Sequence, residues 1–132
     1  MEVVRRVFDA AARHDSEAVL ALYDPEIEFD TSRTGLGGLT QGAIYHGHDG
    51  MRRVYREWRE GWDSYEEEVE ELIDAGEHVI SVVTVKARGR ASGAEVELSH
   101  RGGVWTLRNG RVVKLVFYPT RQEALEAAGL SE

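Results

Sequence analysis

The sequence predicts an α+β fold in which helices come first and a meander of antiparallel strands follows. Three observations carry this expectation. Apolar residues recur at three- and four-residue spacing in the first part of the chain; from Tyr65 onward β-branched runs and strand alternation take over; and Arg101 to Leu125 joins two apolar strands through Asn109-Gly110 before running into a terminal helix.

Taken in order, Val3, Val4, Val7, Phe8, Ala11 and Ala12 form one stripe on a first helix over Glu2 to Arg13. Asp15 or Ser16 caps a short second helix carrying Val19, Leu20, Leu22 and Tyr23, which Asp24-Pro25 ends. Ile27 and Phe29 alternate with Glu26, Glu28 and Asp30, so residues Glu26 to Thr31 read as a strand with one covered face. Thr31 to Gly50 holds six glycines and is expected to be a loop, a place for a pocket lid. Asp49 caps a third helix on which Met51, Val54, Tyr55, Trp58 and Trp62 share a broad stripe. Tyr65 to Asp74 fits either a helix or a strand, and strand is preferred because HVISVVTV in the next segment is a buried strand reached through the turn Asp74 to Glu77. Gly89 to Gly93 makes another turn. Ala94 to Arg108 and Arg111 to Tyr118 then form a hairpin, because Asn-Gly supplies the positive φ angles a tight turn needs. Arg121 to Leu130 closes as a helix with Gly129 at its C-cap.

A chain of 132 residues is long enough to bury about two-thirds of its unfolded surface in one core and too short for two ordinary domains. Residues 1–132 are therefore expected to be a single domain. The formal charge of -8, without a Lys/Arg cluster, argues against nucleic acid as a partner. The chain has no cysteine, which removes thiolate nucleophiles and metal sites and fits a reducing, cytoplasmic setting. MEVVRRVFDAAARHD is charged from its second residue, so neither a signal peptide nor a membrane span is expected. There is no HExxH pair, no phosphate-binding glycine loop and no nucleophile elbow, so no metal and no cofactor is expected.

LALYDPEIEFDTS, IYHGHDGMRRVYREW and VWTLRNGRVVKLVFYPTRQEALEAAGL, in this order, resemble the SnoaL-like branch of the nuclear-transport-factor-2-like, or ketosteroid isomerase-like, superfamily. The resemblance implies a cone: a strongly bent antiparallel sheet wrapped around three N-terminal helices and a mostly apolar cavity, with a short C-terminal helix and homodimers formed through the outer face of the sheet. It implies less about chemistry, because isomerases, cyclases, hydrolases, dehydratases and binding proteins share this fold. The isomerase pattern itself is incomplete. Its oxyanion-hole tyrosine would fall near Val7 or Phe8, its neutral aspartic acid near Gly103, and its aspartate base at Thr31 or, with a gap, Asp30. That enzyme is a standard case of a protonated carboxyl donating a hydrogen bond, and this chain has glycine at the matching point.

Asp30, at a strand end, is the best acid-base candidate, although strand parity turns it away from Phe29 and makes a partnership with Arg33 its structural alternative. His46 in YHGHDG would orient a ligand, or bond loop backbone; His48 reads as an exposed loop residue. Arg101 shares strand parity with Gly103 and Trp105, and if these face inward it can hold an anionic group. Tyr23, Phe29, Tyr45, Trp58, Trp62, Trp105, Leu115 and Phe117 are expected as pocket wall. Glu66, Glu67, Glu68, Glu70 and Glu71 read as a solvated acidic face. Two functions follow: a cofactor-independent lyase, isomerase or cyclase moving a proton on a hydrophobic small molecule, or a non-catalytic ligand-binding or dimeric interaction module.

Overall fold

The computed structural model describes residues 1–33 and 44–130, with the Trp58 side chain left outside the description. The elements are α1 (Glu2–Ala12), α2 (Ser16–Ala21), β1 (Tyr23–Asp30), β2 (Ile44–His46), α3 (Gly47–Gly61), β3 (Trp62–Ala75), β4 (His78–Gly89), β5 (Glu95–Arg108), β6 (Arg111–Tyr118) and α4 (Arg121–Ala127). The strand preference for the ambiguous acidic segment holds. Of the loop expected over Thr31 to Gly50 as a place for a lid, residues 34–43 lie outside the described residues, and the rest from Ile44 onward forms β2 and the start of α3.

Local chemistry explains most boundaries. The Asp15 carboxylate accepts from the Ala18 N–H and starts α2. Asn109 and Gly110, at φ 54° and 76°, make the β5–β6 turn. The Thr120 side chain accepts from the Glu123 N–H to open α4, and Gly129 at φ 79° closes it, with the Leu130 N–H returning to the Leu125 carbonyl.

One six-stranded sheet forms, in the order β2-β1-β6-β5-β4-β3. The sheet is mixed rather than wholly antiparallel: β1 runs parallel to β6, with Phe29 opposite Leu115, because β1 enters the sheet before α3 and the whole meander intervene. The short β2 supplies an antiparallel edge that the sequence reading leaves in a loop.

The sheet has two unlike faces. Its inner face, carrying Phe29, Val79, Trp105, Val112 and Leu115, packs with Val4, Val7 and Ala10 of α1, Val19 and Leu20 of α2, and Met51 and Val54 of α3 into the main core. On the outer face, Ile80 and Val104 pack under Ala124 and Leu125 of α4. Beyond α4 this face becomes polar: the Lys86 ammonium lies 3.9 Å from Glu68 and 3.8 Å from Glu97, and Arg88 pairs with Glu95. No helix among the described residues is long and apolar enough to cross a membrane.

Two bulges bend the sheet across the middle of β4. On β3 the register passes from Val69 opposite Val83 directly to Glu71 opposite Val82, leaving Glu70 extra. On β5 it passes from Leu98 opposite Val85 to Arg101 opposite Val83, so Ser99 and His100 share the place of one residue, and His100 takes φ 57°. Between them Thr84 donates to Glu70, whose other carboxylate oxygen lies 2.7 Å from His100 Nδ1.

Where α4 lies on β5, backbone approaches backbone. A Cβ at Gly102 would sit 2.6 Å from the Thr120 carbonyl oxygen and 2.8 Å from the Ala124 Cβ. Gly102→Ala is expected to destabilise the protein by about 1–3 kcal/mol through overpacking, read as a lower midpoint in urea unfolding; an unchanged midpoint would mean that α4 is not clamped there.

Candidate active site

The inner face of β3, β4 and β5 encloses a small pocket beneath α1. Its wall includes Phe8, Tyr65, Glu67, Ser81, Arg101 and Phe117, with Val83, Val85 and Leu98 between the polar groups. The free space amounts to about 20 Å³, enough for a single water molecule.

Glu67 reaches this space because the strand alternates. Tyr65, Glu67 and Val69 lie opposite Ala87, Val85 and Val83, all inner-face residues of β4, so Glu66 and Glu68 project outward and Glu67 inward. The acidic run is thus not one solvated face, and the correction concerns its middle member. The residue as a whole is half-buried, while its carboxyl is desolvated on the inner face of the sheet. Burial pushes that carboxyl up to about 7, since a desolvated carboxylate loses water that nothing fully replaces.

Three tyrosines surround it. The Tyr23 hydroxyl from β1 and the Tyr55 hydroxyl from α3 are hydrogen-bonded to each other. Burial raises Tyr23, Tyr55 and Tyr65 above the ordinary tyrosine range, and in each case a negative charge on Glu67 raises it further. These phenols therefore stay protonated and act as hydrogen-bond donors at any pH near neutrality.

Ser81 lines the pocket, and Trp105, expected as wall, is buried core behind it. The buried indole N–H donates to Ser81 Oγ at 2.9 Å, which fixes the orientation of the serine hydroxyl. A Cβ at Gly103 would lie 2.8 Å from that oxygen and 3.5 Å from both the indole nitrogen and the Phe117 ring. Glycine is needed there for the Trp105–Ser81 bond to form, at the position where the isomerase pattern would have an acid.

The other expected site residues are dispersed. Arg101, opposite Val83, lies on the inner face and lines the pocket two residues along and two strands across from Glu67. Asp30 lies opposite Val116, itself opposite Val104, and so belongs to the outer face; its carboxylate accepts from the Ser32 N–H at 2.8 Å and the Ser32 hydroxyl at 2.5 Å. Arg33 instead stacks on the Tyr118 ring at 5.4 Å. His46 is exposed and pairs in register with Glu28 on the same outer side. His48 takes the task expected of its neighbour: its Nε2 lies 2.9 Å from the Tyr23 carbonyl.

Of the expected wall, Phe117 faces the pocket, while Phe29 supports it through an edge-on ring contact at 5.0 Å. Tyr23 and Leu115 are buried core, and Tyr45 is buried with its hydroxyl donating to Glu57 at 3.3 Å. Trp62 sits at the start of β3 beside Gly89, away from the pocket, and the Trp58 side chain lies outside the described residues. Sequence reasoning missed Phe8, Tyr65, Glu67 and Ser81 as wall. The strand parity that Glu67 shares with Tyr65 and Val69 was the available signal, and the unbroken acidic run hid it. Among the described residues no group of three or more His, Asp and Glu is placed to hold a metal ion.

No curated protein sequence matches this chain. Its structure is similar to a protein of unknown function from Burkholderia pseudomallei with the NTF2-like fold, at 25% identity over 96% of this chain and 94% of that one, with a TM-score of 0.79. It is also similar to TerC, co-crystallised with polyporic acid, at 19% identity over 96% and 95% of the two chains and a TM-score of 0.77. A hypothetical protein of ketosteroid isomerase-like fold from Catenulispora acidiphila, in complex with trimethylamine, matches at 13% identity over 98% and 94%, with a TM-score of 0.75. The SnoaL-like domain profile matches residues 4–115, most of the chain, and the protein belongs to that family.

Proposed function

We propose that this protein is a cofactor-independent acid-base enzyme for a hydrophobic small molecule bearing a carbonyl or phenolic oxygen, and that Glu67 moves the proton. The observation that carries this reading is a single carboxyl set into a mostly apolar pocket whose wall also holds Tyr65, Ser81 and Arg101. A carboxyl titrating near 7 is populated in both forms at neutral pH, the condition under which one group takes a proton from carbon and returns it. In the reaction the Glu67 carboxylate abstracts a proton from the carbon beside the carbonyl, the electron pair moves to the oxygen, and the protonated Glu67 then delivers the proton to another carbon of the same molecule. Tyr65, the oriented Ser81 hydroxyl and Arg101 stand on the pocket wall where they can donate to the developing oxyanion. Asp30 and His46 have no part in this account, since both belong to the outer face. TerC, of similar structure, was co-crystallised with polyporic acid, which supports a small-molecule ligand.

The free volume of about 20 Å³ favours a second reading, in which the interior is simply filled and the chain is a binding or interaction module. Titration with a panel of aromatic ketones and phenols separates the two. The enzyme reading expects turnover of at least one compound by the native chain and loss of about 10²–10⁴-fold in rate for Glu67→Gln, with binding retained; binding without turnover in both chains would sink it.

The same carboxyl makes stability depend on pH. Its folded value of about 7 lies above the unfolded carboxylate value of 4.5, so the native state holds the extra proton between these limits. Stability is then highest below the unfolded value and falls as pH rises toward and through 7, by up to about 3 kcal/mol. Glu67→Gln is expected to be more stable than the native chain at pH 8 and to flatten the slope between pH 5 and 8 in urea unfolding. Parallel slopes in the two chains would contradict a buried, protonated Glu67.

A further inference from the structure

The pocket has a neighbour. Along the seam between α1 and the edge strand β3 runs an open groove of about 470 Å³, lined by Arg5, Phe8, Asp9, Val69, Glu70 and Leu72 among others. Among the described residues Phe8 is the one common to this groove and to the inner pocket. Its ring sits on the indole of Trp105 at 5.4 Å, tilted by 59°, and the residue is half-buried.

The seam is open for a structural reason. Strand β3 ends the sheet, and among the described residues no further strand covers its outer edge. Helix α1 packs on α2 and β6 rather than along β3, which leaves Val69, an inner-face residue, 38% exposed. The Phe8 ring therefore borders both a groove of about 470 Å³ and a chamber of about 20 Å³. Aromatic side chains on a helix have χ1 wells near 180° and −60°, and a change between them swings the ring without moving the backbone.

We propose that Phe8 is the gate of the pocket: ligands enter along the α1–β3 groove, and the Phe8 ring sets the size of the molecule admitted beside Glu67. This rests on the reading of the pocket as a ligand site. Its consequence is that the chamber's small volume belongs to the closed gate, and that a larger hydrophobic molecule is admitted once the ring swings out and the groove and chamber join. Trp105, just 3% exposed and in contact with the gate ring, reports on its state.

The test uses the full chain with Trp58→Phe and Trp62→Phe, so that emission comes from Trp105. Acrylamide quenching is compared between this parent, Phe8→Leu and Phe8→Ala, with cooperative urea unfolding showing that each is folded. The gate predicts quenching that rises in the order parent, Leu, Ala, several-fold at the end of the series; equal quenching in folded variants overturns it, and Phe8→Leu supplies the reading should Phe8→Ala fail to fold. In a second arm 4-hydroxybiphenyl is mixed with each protein by stopped flow. A several-fold faster association in Phe8→Leu and Phe8→Ala supports the gate, and equal rates with equal quenching overturn it while leaving the pocket as a ligand site. Raised quenching with no binding of the biphenyl or of the smaller ketones and phenols in any variant removes the ligand-site reading and overturns the gate with it.

Discussion

The pairing of two bulges across Thr84 is the constraint on which the site depends. A strand that gains one residue reverses which of its side chains face inward, so the bulges at Glu70, between the partners of Val83 and Val82, and at Ser99–His100, opposite Thr84, change the phase of β3 and β5 at neighbouring points along β4. Below the bulge on β3, Tyr65, Glu67 and Val69 are inner; above it, Leu72 is inner and Ile73 turns to the α4 side. The Thr84–Glu70–His100 hydrogen bonds tie the two irregular strands together on the outer face. Hydrogen bonding from Thr84 and His100 holds the Glu70 carboxyl below its ordinary value, so the two glutamates, three residues apart, titrate in opposite directions for opposite reasons.

This geometry makes an acidic site out of an apolar surface. A carboxyl pressed among Val83, Val85 and Leu98 loses hydration, which costs several kcal/mol if it stays ionised without compensation. The molecule meets that cost by protonation near neutrality, while the raised tyrosines remain donors. Glycine at 103 keeps the Trp105–Ser81 hydrogen bond intact, and glycine at 102 lets α4 cap the opposite face. Adjacent glycines on β5 thus serve the two faces of the sheet separately.

Most of the fold was legible in the sequence because it is written in local patterns. Asn109-Gly110, the Asp15 cap, the β-branched run of β4 and the terminal Gly129 each act within a few residues, and each appears as read. The site was less legible. Strand alternation correctly separated Asp30 from Phe29, and it put Arg101 on the same face as Trp105. It also puts Glu67 with Tyr65 and Val69 on the inner face, but the acidic run reads as one solvated face; the bulge at Glu70 breaks the parity only beyond Val69, so that Ile73 turns to the other side. Nothing local marks an extra residue at Glu70; its position follows from pairing with a bulge in β5, thirty residues away. His46 and His48 exchanged their expected tasks for a similar reason, since the partner of His48 is the carbonyl of Tyr23 on another strand.

The account stands on the protonation of one side chain, and the most direct test is to titrate it. Site-selective ¹³C labelling of the glutamates, with Glu67 assigned through Glu67→Gln, allows its carboxyl shift to be followed by NMR across the folded range. The structure predicts a midpoint near 7 for Glu67. A midpoint in the ordinary glutamate range, about 4.3, would mean that the carboxyl is hydrated, and would contradict the site proposed for it.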